Sequence, residues 1–410
     1  MNTFGSAKTE VYSRIESLPA RLAQHFALAK QCADRLFDSA ATQLDAEHIF
    51  ISTGDIDAMW LRDSSFQIKP LLRFATHAGV RQFVEGVIRQ QAKYIAIDPY
   101  ANAFNIAANS NRWHKDFADQ SPWVFERKWE IDSLASFIDV SLGLAEASNS
   151  TSHLDKHWWN AASSAVSVFE TETRHDPESY VLIRKDAPKH DWLYPEGRGA
   201  EFENCGLIWS GFRPSDDACE LPFNIPQNAY AAAQLERLAK FAEAELADRC
   251  VKLAAQIRDA IAANAIVGGH FAYEIDGLGN RIEMDDANIP SLLSLPYLGF
   301  CSADDSTYIA TREFVLSEKN QWFFTGAQAS HIGSPHTGQN RVWPLAMAMQ
   351  IITSEQPELE QLDALNTLAE NSNGLHESVD VNDVTYFTRE WFSWAEMTYF
   401  DAVFSTAEKL

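Results

Sequence analysis

Apolar residues recur at steps of three and four along nearly the whole sequence, and this periodicity confines the chain to a mostly helical fold. From Leu18 to Leu44 the stripe runs through Leu22, Phe26, Leu28, Ala29, Cys32, Leu36 and Phe37, which predicts one long amphipathic helix. Further stripes predict helices near 60–77, 79–96, 130–147, 154–173, 226–242, 243–265, 288–299, 305–316, 341–353, 357–371 and 390–407, with Pro226, Pro290 and Pro344 near helix starts. About twelve helices of this kind suit an all-α toroid of paired helices. Strand-like segments are few and local. Ser179–Lys185 is one, and Phe271–Ile275 followed by Asp-Gly-Leu-Gly-Asn is a hairpin turned by Gly277 and Gly279. No βαβ alternation and no linker rich in Gly, Ser or Pro interrupts the pattern, so residues 1–410 are expected to form a single domain. The irregular stretches 98–128, 186–225, 320–340 and 372–389 are longer than connections between helices usually are, which marks them as functional loops.

Composition narrows the function. Hydrophobic residues are 46% and charged residues 22% of 410, a folded globular profile that excludes disorder. The 33 basic against 57 acidic residues give a net charge of −24, a field that repels phosphate backbones and anionic lipid, so neither nucleic acid nor membrane is an expected partner. Five widely spaced cysteines without a CxxC pair indicate neither a disulfide framework nor a zinc site. HExxH, EF-hand and phosphate-loop patterns are missing too, so no metal and no cofactor is expected. The start of the sequence lacks a basic stretch followed by an apolar one, and the expected compartment is the cytoplasm. Twelve Trp, 25 Phe and 11 Tyr exceed what the core needs, and several lie beside polar residues, where they can stack on sugar rings.

Three short segments carry the chemistry. Thr53–Ser65 places Trp60, Arg62 and Asp63 together at a helix start, and a guanidinium beside a carboxylate can grip vicinal hydroxyls while a Trp covers the apolar face of a hexose. Arg213-Pro-Ser-Asp-Asp-Ala holds Asp216 and Asp217, neighbouring carboxyls that can titrate apart so that one serves as a general acid. Phe387–Ala395 opens the last helix, and if Thr388 caps it, Glu390 lies in the first turn, where the helix dipole keeps it ionised as a base. His336 in Ser-Pro-His-Thr-Gly, Glu377 after His376, and Asp286 in Met-Asp-Asp-Ala-Asn-Ile-Pro are further loop residues able to converge on one pocket. Taken singly, each also reads as a helix cap or a solvated turn.

Together these blocks resemble glycoside hydrolase family 125. The resemblance rests on Thr-Gly-Asp-Ile-Asp-Ala-Met-Trp-Leu-Arg-Asp-Ser at 53–64, Arg-Pro-Ser-Asp-Asp-Ala at 213–218, Pro-Phe-Asn-Ile-Pro at 222–226, Tyr-Glu-Ile-Asp-Gly-Leu-Gly-Asn at 273–280, Met-Asp-Asp-Ala-Asn-Ile-Pro at 284–290 and Phe-Thr-Arg-Glu-Trp-Phe at 387–392. It implies an (α/α)6 barrel and a metal-independent, inverting exo-α-mannosidase acting on α-1,6-linked mannose. It also implies a general acid in the Asp216–Asp217 pair, taken as Asp217, and Glu390 as base; Glu377 is the next candidate if the base lies elsewhere. Trp60, Arg62, Asp63, Asp216, Asp286 and His336 are then expected to bind the substrate. Residue types alone leave open a hydrolase of α-glucosidase type, a sugar epimerase on the same barrel and a non-catalytic sugar-binding protein.

Overall fold

The computed structural model describes residues 3–176 and 178–410. Among them are twelve α-helices: α1 Thr3–Glu16, α2 Phe26–Arg35, α3 Leu61–Ile68, α4 Ala78–Ile97, α5 Ile131–Ser148, α6 Lys156–Glu172, α7 Ile225–Leu238, α8 Ala244–Asn264, α9 Ser306–Val315, α10 Pro344–Thr353, α11 Leu359–Ser372 and α12 Ser393–Glu408. Burial separates two rings. All of α3 is buried, as is α12 from Ser393 to Thr406, and α5, α7 and α10 are nearly so, their few charged and amide side chains included. By contrast α8 buries only the stripe Cys250, Leu253, Ala254, Ile257, Ala260 and Ile261, as an outer helix should. Within the inner ring α7 packs on α5, α5 on α3, α3 on α12 and α12 on α10. This is an (α/α)6 barrel.

The sixth inner position differs from expectation. Residues 288–299 form irregular turns rather than a helix, because the buried Asp285 carboxylate accepts from the N–H groups of Leu292 (2.8 Å) and Leu293 (3.0 Å), taking donors that a helix would direct to its own carbonyls. Burial pushes the Asp285 carboxyl up to about 8. The segment still closes the ring: Gln234 of α7 donates to the Leu298 carbonyl (3.0 Å), and the Tyr297 hydroxyl donates to Asp401 of α12 (2.8 Å). Phe66 stacks on Trp394, with Tyr230 and Tyr297 beside it, and fills the axis of the barrel with aromatic rings.

Other boundaries also move. The long helix expected at 18–44 breaks after Pro19 into a 3₁₀ turn, α2, a π turn at Leu36–Ala40 and the strand Ala41–Gln43, whose backbone pairs antiparallel with Ile49–Ile51. Helix α1, outside the predicted set, buries Ala7, Val11 and Ile15 at four-residue spacing. Ser179–Lys185 forms no strand, whereas Glu274–Ile275 and Arg281–Ile282 form the expected hairpin, with Gly277 and Gly279 at positive φ. The last helix starts at Ser393 instead of 390. Thr388 does not cap it, since it lies in the strand Phe387–Thr388 and its hydroxyl meets Ser378 Oγ across the ladder (2.7 Å).

Strands Met59–Trp60, Phe223–Asn224 and Arg341–Val342 each belong to a small three-stranded sheet and each leads into an inner helix, α3, α7 and α10 respectively. Loops from all four long irregular stretches gather at this same end. Two of its segments touch at Gly54, which has φ +94°, and a Cβ there would lie 2.4 Å from the Trp391 carbonyl oxygen. Gly54→Ala should therefore cost about 1–3 kcal/mol, read as a lower denaturant midpoint at unchanged slope.

Candidate active site

The N-terminal ends of the inner helices surround a cavity of about 300 Å³. Its base is built on Arg62, in the first turn of α3 and 2% exposed. Burying a guanidinium costs several kcal/mol unless it is paired, and the fold supplies partners from separate segments. Arg62 Nη1 donates to Glu130 (2.5 Å) and to Asp132 (3.2 Å) at the start of α5, Nη2 donates to Asp216 (2.9 Å), and Nε lies 3.4 Å from Asp63. Asp63 also accepts from Thr53. Burial works against the guanidinium's charge, but these four carboxyls overcome it and raise its pKa well above normal. Burial in turn lifts Glu130 well above the usual carboxylate range and Asp132 to about 6, whereas for Asp216 the nearby Arg62 and Lys128 outweigh burial and hold it low.

Aromatic rings form the walls. Trp60 packs edge-on to Phe125 (5.6 Å between centroids) and against Trp113 (5.9 Å); Trp343, Phe392 and Trp394 also line the cavity. Polar groups enter from the loops: Asn288, His336, Glu377 and Arg389. His336 borders a second cavity of about 360 Å³ as well, lined by Trp192, Tyr194, Arg213, Asp217 and Glu220 among others. Its Nδ1 lies 2.9 Å from Asp217 Oδ1. Burial opposes charge on the imidazole, but Asp217, Glu377 and Asp216 together push its pKa up to about 9.

Of the residues expected to bind substrate, Trp60, Arg62, Asp63, Asp216 and His336 line the main cavity; Asp217 borders the second one. Asp286 lines neither. It is fully buried and accepts from the backbone and side-chain N–H groups of Asn288 (3.1 and 2.8 Å), so it fixes Asn288, which does reach the cavity. Glu390 is exposed and outside the cavity lining. The chain turns at Arg389, whose φ is +52°, and it is the Arg389 side chain that enters, donating to Asp55 (2.8 Å) and to the Thr53 carbonyl (2.7 Å). The carboxylate that this region brings to the cavity is Glu377. His376 holds that loop in place, with Nδ1 2.9 Å from the Arg389 carbonyl, Nε2 3.0 Å from the Ser372 carbonyl and its ring stacked on Phe387 at 3.6 Å.

Glu130, Asp132 and Lys128 escape the sequence-based reading because each resembles an ordinary charged residue near a helix start. The one local sign is density: Glu126, Arg127, Lys128, Glu130 and Asp132 crowd the start of a helix that is buried along most of its length.

Removing the Arg62 cation should expose this dependence. Arg62→Met leaves carboxyls buried without a counter-charge, at a cost of about 3–5 kcal/mol at neutral pH. Their folded pKa values then exceed the unfolded value of about 4, so the folded state binds protons more tightly and stability is lost as pH rises. Denaturation of Arg62→Met should show its largest deficit relative to wild type at pH 8 and its smallest near pH 5; a deficit independent of pH would contradict this picture.

A cavity for one ring, walled by indoles and closed by a guanidinium among carboxyls, suits a hexose, and comparison with known proteins agrees. A family model described as metal-independent alpha-mannosidase, GH125, matches residues 22–404. The chain is 36% identical over 392 residues to the Meiotically up-regulated gene 157 protein of Schizosaccharomyces pombe (strain 972 / ATCC 24843), a match spanning 88% of this chain and 77% of that protein. It is 33% identical to a Streptococcus pneumoniae protein from a family of metal-independent alpha mannosidases, solved as a non-productive complex with α-1,6-mannobiose; that match covers 98% of both chains at a TM-score of 0.94. A structure described as a wild-type glycosidase, 16% identical over 95% of this chain and 99% of its own at a TM-score of 0.58, shares the fold. With the family match spanning nearly the whole barrel, the chain belongs to glycoside hydrolase family 125, the metal-independent α-mannosidases.

Proposed function

We propose that this α-mannosidase removes the non-reducing terminal mannose from α-1,6-linked mannosides with inversion at the anomeric carbon, using a proton donor at Asp216 and a base at Glu377. The observation that carries the reading is that two carboxylates from separate loops, Asp216 and Glu377, line one cavity with the Arg62 and Asp63 grip and the Trp60 wall. Asp216 replaces Asp217 as donor because its side chain opens into that cavity, while Asp217 is held by His336 at the border of the second one. Asp216 also sits at φ +68°, a left-handed conformation that costs energy in a non-glycine residue and that is retained where geometry serves a site.

In this reading the terminal mannose enters the main cavity, whose inner end is closed by the first turns of α3 and α12; only a chain end fits, which makes the enzyme exo-acting. The leaving sugar occupies the second cavity, and a linkage through a primary carbon supplies the extra torsion needed to reach it. The α-1,6 preference is supported by the disaccharide bound to the Streptococcus pneumoniae relative. Asp216 gives its proton to the glycosidic oxygen as the C1–O bond breaks. A water, deprotonated by Glu377, attacks C1 from the other face.

Three outcomes follow. Released sugar should appear first as β-mannose in proton NMR spectra taken before mutarotation; an initial α-anomer would indicate a retaining enzyme. Hydrolysis of α-1,6-mannobiose should persist in excess EDTA. Asp216→Asn should lower disaccharide turnover by about 10²–10⁴-fold and recover with an acidic aryl leaving group, while Glu377→Gln should lose both substrates alike. Selective aryl rescue in Asp217→Asn instead would move the acid to that residue, and a Glu377→Gln enzyme of near wild-type rate would remove Glu377 from the mechanism.

A further inference from the structure

Arg62 faces four carboxyl groups, Asp63, Glu130, Asp132 and Asp216, with a single positive charge. The other nearby cations are already engaged. Lys128 pairs with Asp191 (2.6 Å) and Glu126 (3.5 Å), and Arg184 pairs with Asp116 (2.7 Å), Asp191 (3.0 Å) and Glu126 (3.1 Å). Glu130 is fully buried, and its remaining neighbours, Asn102, Ser133 and Cys219, bring no charge to offset it. Four like charges around one cation in so dry a site repel one another, and taking up a proton relieves the repulsion. The shared guanidinium selects the pair. Glu130 and Asp216 are anchored on its two terminal nitrogens, at 2.5 and 2.9 Å, which sets their carboxyls side by side, where one proton can serve both.

We infer that Glu130 and Asp216 share one proton across Arg62 and act as a unit, Glu130 being the positioning residue that keeps the proton available to Asp216. The inference rests on the reading in which Asp216 is the acid. A lone Asp216 beside Arg62 and Lys128 would be ionised at neutral pH and a poor donor. With the partner carboxylate competing for the same cation, the pair retains a proton, as coupled carboxyls do, and titrates with values that belong to both. The microstate with the proton on Asp216 is the reactive one. That proton passes to the glycosidic oxygen, which keeps the electron pair of the broken C1–O bond; the pair becomes doubly ionised and regains a proton from water after the product leaves.

The direct test is infrared difference spectroscopy at neutral pH. Wild type minus Glu130→Gln should contain the carbonyl stretch of one protonated carboxyl, and wild type minus Asp216→Asn should contain the same band, because Glu130, relieved of the carboxylate competing at the neighbouring nitrogen, holds a larger share of the Arg62 charge and ionises. Persistence of the band in Asp216→Asn would place the proton on Glu130 independently of Asp216 and overturn the sharing. If Glu130→Gln does not fold, the Asp216→Asn spectrum alone decides. Kinetics test the consequence. In Glu130→Gln the alkaline limb of the pH profile should move down by at least about one unit, and turnover should fall more on the disaccharide than on an aryl mannoside. An unmoved limb with equal loss on both substrates would make Glu130 merely structural. A wild-type enzyme without activity on any α-mannoside would refute the proposed function, while the infrared bands would still decide the shared proton.

Discussion

The buried guanidinium of Arg62 is the interaction around which this end of the barrel is organised. It stands at the first turn of an innermost helix, and its partners arrive from the start of α5 and from the 213–218 loop, so neither of those segments can shift without stranding a charge in a nearly dry site. Such pairs add little net stability over an apolar core, yet they penalise every arrangement but one. Here the specified arrangement is a cavity whose base carries more negative than positive groups. Oxocarbenium character at a bound sugar is stabilised by such a surround.

The barrel supplies the rest by directing several inner helices to begin at the same end. Short strands run into α3, α7 and α10, and the long loops between helices then have only one place to converge. Trp113, Asp191, Asp216, His336 and Glu377, which come from all four long loops, border the cavity that the first turns of α3 and α12 close. The opposite face of the inner ring holds a separate ion cluster, Asp139 with Lys69 and Arg237, each 2.5 Å away, and the Tyr230 hydroxyl at 2.8 Å. Burial would raise the Asp139 carboxyl, but Lys69 and Arg237 prevail and hold it low.

How much of this is legible in the sequence depends on how local each feature is. Helices α4 to α8 are legible because apolar residues at helical spacing need no distant partner to be read. The break-up of 18–44 is not, since it depends on Ala41–Gln43 finding Ile49–Ile51, nor is the loss of a helix at 288–299, which depends on where Asp285 points. Trp60, Arg62 and Asp63 are legible as a sugar grip because three complementary groups stand within one turn. The placement of Glu390 is harder. Reading it as a first-turn residue assumes that Thr388 caps a helix; in the fold Thr388 is committed to a sheet, Arg389 turns inward and Glu390 is exposed. Glu130 is unreadable in principle, because its meaning comes from a guanidinium 68 positions away.

In the proposed mechanism Arg62 holds the donor carboxyl of Asp216 on one side of a bound mannose while Glu377 faces it across the anomeric carbon. A crystal structure of Glu377→Gln with intact α-1,6-mannobiose measures this most directly. The glycosidic oxygen should lie within hydrogen-bond distance of Asp216, with a water between C1 and residue 377 and the two side-chain carboxyl carbons roughly 6.5–9.5 Å apart. A glycosidic oxygen held by Asp217, or a water held by Glu390, would contradict it.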